Sequence, residues 1–172
     1  PEPDLVQQLL EEMTLEQKVG QLFLVRPDSL DLSQTQDQIN DAKADGVTEL
    51  TDAMRQTLAE YPVGGVVIFG KNLESPQQIT QFLDDLQQAS DTLLFTAVDE
   101  EGGLVARLAN NAAFDLPQYE SAAAVGTSGT PEDARAMGRT IGGYLKEYGF
   151  NLDFAPVADV NTNPDNPVIG TR

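Results

Sequence analysis

The sequence contains no histidine, no cysteine and no tryptophan, and its 10 lysines and arginines stand against 28 aspartates and glutamates, for a formal net charge of −18 over 172 residues. The absence of histidine removes the side chain that most often serves as a general base or metal ligand. The absence of cysteine excludes disulfides and thiolate metal sites. Catalysis by these residues would therefore depend on carboxylates, Lys, Arg, Tyr or Ser, and neither a metal ion nor an organic cofactor is indicated.

The large negative net charge also limits which classes of molecule the protein is expected to bind. A surface of this charge repels nucleic-acid phosphates and anionic lipids, so neither is expected as a partner. No apolar run approaches the roughly 18 residues that cross a bilayer, and Pro1-Glu2-Pro3 does not resemble a signal peptide. Localisation stays open, because the composition fits a mature exported bacterial protein of the envelope or exterior and a cytoplasmic protein equally well.

Apolar periodicity predicts helices that alternate with short buried strands. Strands are expected where short apolar runs are continuous, at 21–25, 63–70, 93–98 and 150–157. Helices are expected over 4–13, from Thr14, over 49–61, from Ser75-Pro76, and from Thr130-Pro131 to a stop at Gly149. The segment 26–48 is polar and is predicted to be a long connection that contains at most one weak helix.

The alternation of strands and helices predicts a parallel α/β sheet. Open doubly wound sheets and eight-stranded barrels share this pattern, and four strands do not choose between them. No helix follows the fourth strand to cover it, so we expect the architecture to be incomplete within this chain.

Polar side chains collect after the third and fourth predicted strands. In parallel α/β proteins, binding sites lie at these carboxyl ends. The third strand leads into an acidic turn with two glycines, 99–103, and the fourth into a loop rich in Asp and Asn, 153–165. On spacing alone, the first is equally well explained as a solvated turn, and the second is better explained as a loop whose Asx side chains bond their own backbone.

Several segments resemble glycoside hydrolase family 3. Residues 97–108 (AVDEEGGLVARL) resemble the family's D-x-E-G-G-x-V-x-R-L segment. Residues 151–172 (NLDFAPVADVNTNPDNPVIGTR) resemble its second signature, in the form typical of the β-N-acetylhexosaminidase branch. Residues 13–25 and 63–90 match the family's amino-terminal region as well. The resemblance implies that 1–172 form the N-terminal half, about four βα units, of a (β/α)8 TIM-type barrel.

The resemblance also assigns substrate-binding residues. Asp99 matches a carboxylate that accepts hydrogen bonds from sugar hydroxyls, and Arg107 and Arg172 match two arginines that hold the substrate. A carboxylate acceptor and guanidinium donors suit a neutral, hydroxyl-rich carbohydrate.

Supporting roles follow from the same comparison. Glu101, Gly102 and Gly103 match the first motif as residues that shape its turn. Asp153 and Asp159 match the second signature as supports for the loop that carries the second of the two arginines.

The activity implied is retaining hydrolysis of terminal β-linked N-acetylglucosamine from glycans or peptidoglycan fragments. The family's nucleophile and acid/base fall beyond Arg172 in this comparison, so these residues alone are expected to be inactive. Two alternatives stay open: a β-glucosidase of the same family, and a non-catalytic acidic α/β module that binds carbohydrate or protein. A half barrel exposes apolar side chains and an unpaired parallel edge, which predicts self-association or pairing with the missing half.

Overall fold

The computed structural model describes residues 4–163, 165–170 and 172. The helices are α1 Leu5–Glu12, α2 Leu15–Gly20, α3 Gln36–Asn40, α4 Asp52–Glu60, α5 Pro76–Gln88, α6 Ala122–Ser128 and α7 Pro131–Glu147. The strands are β1 Leu24–Val25, β2 Gly65–Ile68, β3 Phe95–Val98, β4 Glu100–Gly102, β5 Val105–Ala106 and β6 Leu152–Asp153. Short 3-10 turns lie at Pro27–Leu30 and Gly70–Asn72.

Four of these strands form one parallel sheet in the order β1-β2-β3-β6. Each strand therefore pairs with the sheet strand that precedes it along the chain, and the direction of growth never reverses. Doubly wound sheets contain such a reversal, whereas a (β/α)8 barrel does not. The predicted α/β class is confirmed, and the strand order corresponds to the first part of a barrel.

The helices begin where local sequence signals place them. Ser75 caps α5 by accepting a hydrogen bond from the Gln78 N–H (3.2 Å), with Pro76 at the first helical position. Thr130 and Asp133 form a reciprocal capping box at the start of α7. Such caps satisfy backbone N–H groups that have no partner inside the helix.

The core lies between the sheet and the helices packed on it. On α5 the inward residues recur every three or four positions, as the periodicity predicts for an amphipathic helix. Burying one such side chain contributes about 1.5–3 kcal/mol. Residues of this core with less than 2 % exposure include Val66, Ile68, Ile79, Phe82, Leu83, Leu86 and Val98.

The two outer strands are shorter than the sequence predicts. The apolar runs 21–25 and 150–157 contribute only Leu24–Val25 and Leu152–Asp153 to the sheet. These strands lie at the edges of the described sheet, where each has a single neighbour. Strand assignment needs ladder hydrogen bonds, so residues without a partner on the neighbouring strand fall outside it.

Apolar side chains are exposed on the N-terminal elements. The described helices α1 and α2 contain no buried residue, and Leu22 and Phe23 just after α2 are 80 % and 55 % exposed. The predicted self-association or pairing with a second half stays a prediction. Among the described residues, no helix combines the length and the apolar character needed to cross a membrane.

Candidate functional site

Three polar side chains and one aromatic ring lie at the carboxyl end of the parallel sheet. Arg26 follows β1, Phe69 follows β2, Asp99 follows β3 and Asp153 ends β6. Because the four strands are parallel, these positions lie on the same rim of the sheet. This rim carries the binding site in barrels and in open α/β sheets alike.

Asp99 and Arg107 form an ion pair at the centre of this rim. Nη2 of Arg107 lies 3.2 Å from Oδ2 of Asp99, and the two side chains are 33 % and 29 % exposed. No hydrogen bond to the other carboxylate oxygen of Asp99 occurs within the described part of the chain, so that oxygen is free to accept one from a ligand. The sequence comparison predicted that these two residues act together, and the structure places them in contact.

A short hairpin returns the chain so that Arg107 reaches Asp99. Strands β4 and β5 pair antiparallel, and Gly102 at the end of β4 and Gly103 after it have φ angles of +80° and +75°. Residues other than glycine rarely adopt this left-handed conformation. A Cβ atom at Gly103 would also lie 2.7 Å from the carbonyl oxygen of Glu120. The two glycines therefore occupy positions that shape this turn.

Glu100 is a component of the site that the sequence reasoning missed. Its side chain is fully buried, and its carboxylate accepts hydrogen bonds from the N–H groups of Leu108 and Ala109 (both 2.9 Å) and from the hydroxyl of Tyr144 (2.8 Å). Burial, and next the bond to Glu100, raise the pKa of Tyr144, so its hydroxyl stays a donor.

Glu100 lies between Asp99 and Glu101, two carboxylates that each pair with an arginine. Two of its three bonds fix the chain immediately after Arg107, which is bonded to Asp99, and the third links Glu100 to Tyr144 on α7. Side chains alternate across an extended segment, so the middle one of three consecutive acidic residues faces away from its neighbours. That alternation was the available sequence signal. The buried donors come from residues 8, 9 and 44 positions away, which the local pattern does not reveal.

Asp153 supports β4 from the end of the last strand. Its Oδ1 accepts a hydrogen bond from the backbone N–H of Glu100 at 3.0 Å. Burial raises the pKa of Asp153 to about 6; that hydrogen bond opposes the shift, and the carboxylates of Glu100, Asp99 and Glu101 add to it. The predicted role of Asp153 was to support the C-terminal loop, whereas this hydrogen bond supports β4.

Arg172 joins the second sequence motif to the first. Its guanidinium makes a bidentate pair with Glu101, through Nε to Oε2 at 3.0 Å and through Nη2 to Oε1. This bond is the main cause of the raised pKa of Arg172, and the charges of Asp159 and Asp99 contribute further. Glu101, expected only to shape the turn, thus holds an arginine 71 residues away. Asp159 is exposed and acts on Arg172 through its charge.

Comparison with known proteins decides the family. Residues 14–172 match the family model described as the Glycosyl hydrolase family 3 N terminal domain. The chain belongs to glycoside hydrolase family 3. The resemblance inferred from the two motifs is therefore confirmed.

Relatives of this family 3 chain carry consistent names. The beta-hexosaminidase A of Pseudoalteromonas piscicida is 34 % identical over 131 residues, which are 73 % of this chain and 22 % of that protein. The beta-hexosaminidase of Thiobacillus denitrificans is 33 % identical over 129 residues, covering 73 % of this chain and 35 % of the relative. The structure of the family 3 beta-N-acetylglucosaminidase from Paenibacillus sp. str. FPU-7 superposes with a TM-score of 0.72 at 34 % identity.

The coverage of these relatives places the chain within a larger fold. The superposition covers 91 % of this chain and 26 % of the Paenibacillus protein. The chain thus spans between about a fifth and a third of the proteins that it matches. The family 3 structures have a TIM-barrel N-terminal domain, and the sheet described here is the first part of it.

This family 3 site can bind a polar, uncharged ligand. One open carboxylate oxygen of Asp99 accepts hydrogen bonds, and the guanidinium of Arg107 lies beside it as a donor. Within 4–163, 165–170 and 172, no group of three or more side chains is placed to hold a metal ion. The arrangement is one of recognition, built on hydrogen bonds around Asp99.

Proposed function

We propose that residues 1–172 form the substrate-binding, N-terminal half of a catalytic barrel that removes terminal β-linked N-acetylglucosamine from glycans or peptidoglycan fragments. The observation that carries this proposal is the contact between Arg107 and Asp99 on the rim of the sheet, with one oxygen of Asp99 left open. The names of the matched relatives, beta-hexosaminidase and beta-N-acetylglucosaminidase, support the substrate class.

In the proposed complex, Asp99 accepts hydrogen bonds from two hydroxyl groups of the sugar. A carboxylate does this well because it offers acceptor sites only and needs no proton rearrangement. Arg107 orients the carboxylate, and Arg172 is proposed to donate to the sugar while Glu101 holds it in place. Charged hydrogen bonds of this kind contribute about 1.5–3 kcal/mol each.

The bond-breaking groups are proposed to lie outside these residues. Retaining hydrolysis in the usual carboxylate form needs a nucleophile and an acid/base roughly 5–5.5 Å apart. The resemblance assigns neither role to a residue of this chain. Residues 1–172 contribute binding energy and orient the sugar. This orientation determines how well the scissile bond is aligned with the reacting groups.

The proposal is tested with the gene product that contains this chain. We expect hydrolysis of an aryl N-acetyl-β-glucosaminide in preference to the aryl β-glucoside. The substitution Asp99→Ala removes the acceptor for two hydroxyl groups and is expected to lower kcat/KM at least about a hundredfold. Thermal unfolding measured by circular dichroism verifies that the variant still folds.

Asp91→Ala is the matched control. Asp91 is an exposed aspartate that precedes the same strand, β3, at the opposite end of the sheet. It is expected to leave kcat/KM within about twofold of the parent protein, since surface substitutions away from a site change little. Equal losses in both variants, or no loss in Asp99→Ala, would contradict the assigned role of Asp99. Preference for the glucoside would favour the β-glucosidase alternative.

A further inference from the structure

A cavity opens on the same rim, between the ends of β1 and β2 and the segment after β5. Its volume is about 390 Å³, and Arg26, Lys71 and Arg107 line it around the ring of Phe69. Three of the ten basic residues of a chain with a net charge of −18 thus line one cavity. No carboxylate is among its lining residues. Two of the three cations have a carboxylate partner behind the lining, Asp28 for Lys71 and Asp99 for Arg107, so the attraction for an anion depends mainly on Arg26 and on the donors left unused.

Two guanidinium groups share the aromatic ring at the floor of this cavity. The guanidinium carbon of Arg26 lies 4.3 Å from the centroid of the Phe69 ring, and that of Arg107 lies 5.6 Å from it. Attraction to the negative face of the ring offsets part of the repulsion between the two cations. Contact with the same ring also holds both guanidinium groups close to the cavity.

The charges that line the cavity are not equally available. Lys71 is used by the fold: its Nζ lies 3.2 Å from a buried carboxylate oxygen of Asp28 and donates to the carbonyls of Gln38 (3.1 Å) and Ile39 (3.0 Å). Its charge is neutralised by Asp28, and its three donors are occupied. Lys71 therefore supplies neither an unbalanced charge nor a free hydrogen bond to the cavity.

Arg26 and Arg107 each have N–H donors that form no hydrogen bond within the described residues. Through Nη1, Arg26 donates to the carbonyl of Ile39 at 2.7 Å and contacts Oδ1 of Asn40 at 3.5 Å. No carboxylate forms an ion pair with Arg26 in the described part of the chain. The Nε of Arg107 is buried and has no hydrogen-bond partner among the described residues. A buried donor without a partner is costly, so the fold leaves one hydrogen-bonding group of Arg107 unsatisfied.

We propose that this cavity is a subsite for an anionic group of the saccharide whose hydroxyl groups bind Asp99. The group is a tetrahedral ester, such as sulfate or phosphate, or a carboxylate, because paired planar guanidinium forks bind either oxyanion in a bidentate manner. Arg107 links the two sites, since it is bonded to Asp99 and lines the cavity. This inference rests on the proposed function and narrows its substrate to charged glycans.

A purely structural role for Arg26 makes a different prediction. If its only task were to hold the segment after α3 through Ile39 and Asn40, its loss would lower stability and would affect neutral and anionic substrates alike. The ratio of kcat/KM between an anionic and a neutral substrate therefore separates the two roles, because a general effect on folding cancels in it.

The test uses the gene product that contains this chain and two substrate pairs. The first pair is an aryl N-acetyl-β-glucosaminide and its 6-O-sulfate. The second pair is a disaccharide of N-acetylglucosamine with and without a carboxylate on the reducing sugar. In the unchanged protein we expect a preference for the anionic member of one pair. Arg26→Gln is expected to lower that preference at least about fivefold, as expected for the loss of a charge-assisted hydrogen bond.

Arg139→Gln, at an exposed arginine of α7, is the matched control and is expected to leave both ratios unchanged. A fall in the first ratio assigns the anion to the sugar bound at Asp99, and a fall in the second assigns it to the adjoining residue. If Arg26→Gln does not fold, inhibition of the unchanged protein by inorganic sulfate decides: stronger inhibition with the anionic substrate supports the subsite, and equal or absent inhibition overturns it.

The remaining outcomes separate this inference from the function it rests on. Hydrolysis of the neutral glycosides without any preference for an anionic one, or ratios unchanged by Arg26→Gln, would overturn the subsite and leave the proposed function standing. If none of the glycosides is hydrolysed, the proposed function fails and the subsite fails with it.

Discussion

The hydroxyl of Tyr144 is the single group whose removal tests the buried network most cleanly. It donates to Oε1 of Glu100 at 2.8 Å, and both side chains are buried. Tyr144→Phe deletes this donor and leaves the ring in place. A hydrogen bond to a charged group contributes about 1.5–3 kcal/mol, so we expect the free energy of unfolding to fall by about 2 kcal/mol. For a domain of this size that corresponds to a decrease in Tm of roughly 4–8 °C.

Tyr148→Phe, at the residue that follows the last turn of α7, provides the control. The ring of Tyr148 packs edge-on against Phe114 with centroids 5.7 Å apart, and no hydrogen bond of its hydroxyl is found within the described residues. We expect a change within about 0.5 kcal/mol. Urea denaturation followed by circular dichroism gives both values. Equal stability of the two variants would refute the reasoning that Glu100 depends on Tyr144.

Two further predictions concern the same rim. Burial raises the pKa of Asp153 from 3.8 to about 6, so the folded protein binds a proton at this carboxylate more tightly than the unfolded chain does. The free energy of unfolding is therefore expected to fall by at most about 3 kcal/mol as the pH rises from about 4 to 6. Asp153→Asn should remove that slope from urea titrations, and an unchanged slope would argue against it. Gly103→Ala forces a methyl group against the Glu120 carbonyl at a φ of +75° and should lower the free energy of unfolding by at least about 1–2 kcal/mol. By contrast, the methyl group of Gly126→Ala meets open space within α6, and this variant should raise the free energy of unfolding by about 0.5–1 kcal/mol. Similar thermal midpoints for the two glycine variants would count against the strain argument.

Features encoded by neighbouring residues were predictable from the sequence. The starts of α5 and α7 follow from Ser75 and Thr130, whose caps involve residues three positions away. Gly149 ends α7 with a φ of +95°, as a glycine after a helix is expected to do. These signals are local, so the sequence contains all the information that they need.

The edges of the sheet and the contacts of the site required the structure. The extent of β1 and β6 depends on which residues find partners on the next strand, and this is a property of the assembled sheet. The pair of Arg172 with Glu101 joins residues 71 positions apart. The motif resemblance named both residues but assigned them separate tasks, because a motif records identity and spacing and does not record contacts.

A crystal structure of the gene product that contains this chain, soaked with N-acetylglucosamine, tests the central claim most directly. The account predicts two hydroxyl oxygens of the sugar within hydrogen-bond distance, about 2.5–3.0 Å, of the Asp99 carboxylate, with Arg107 still paired to it. A sugar bound elsewhere, with Asp99 in contact only with Arg107 and water, would contradict it.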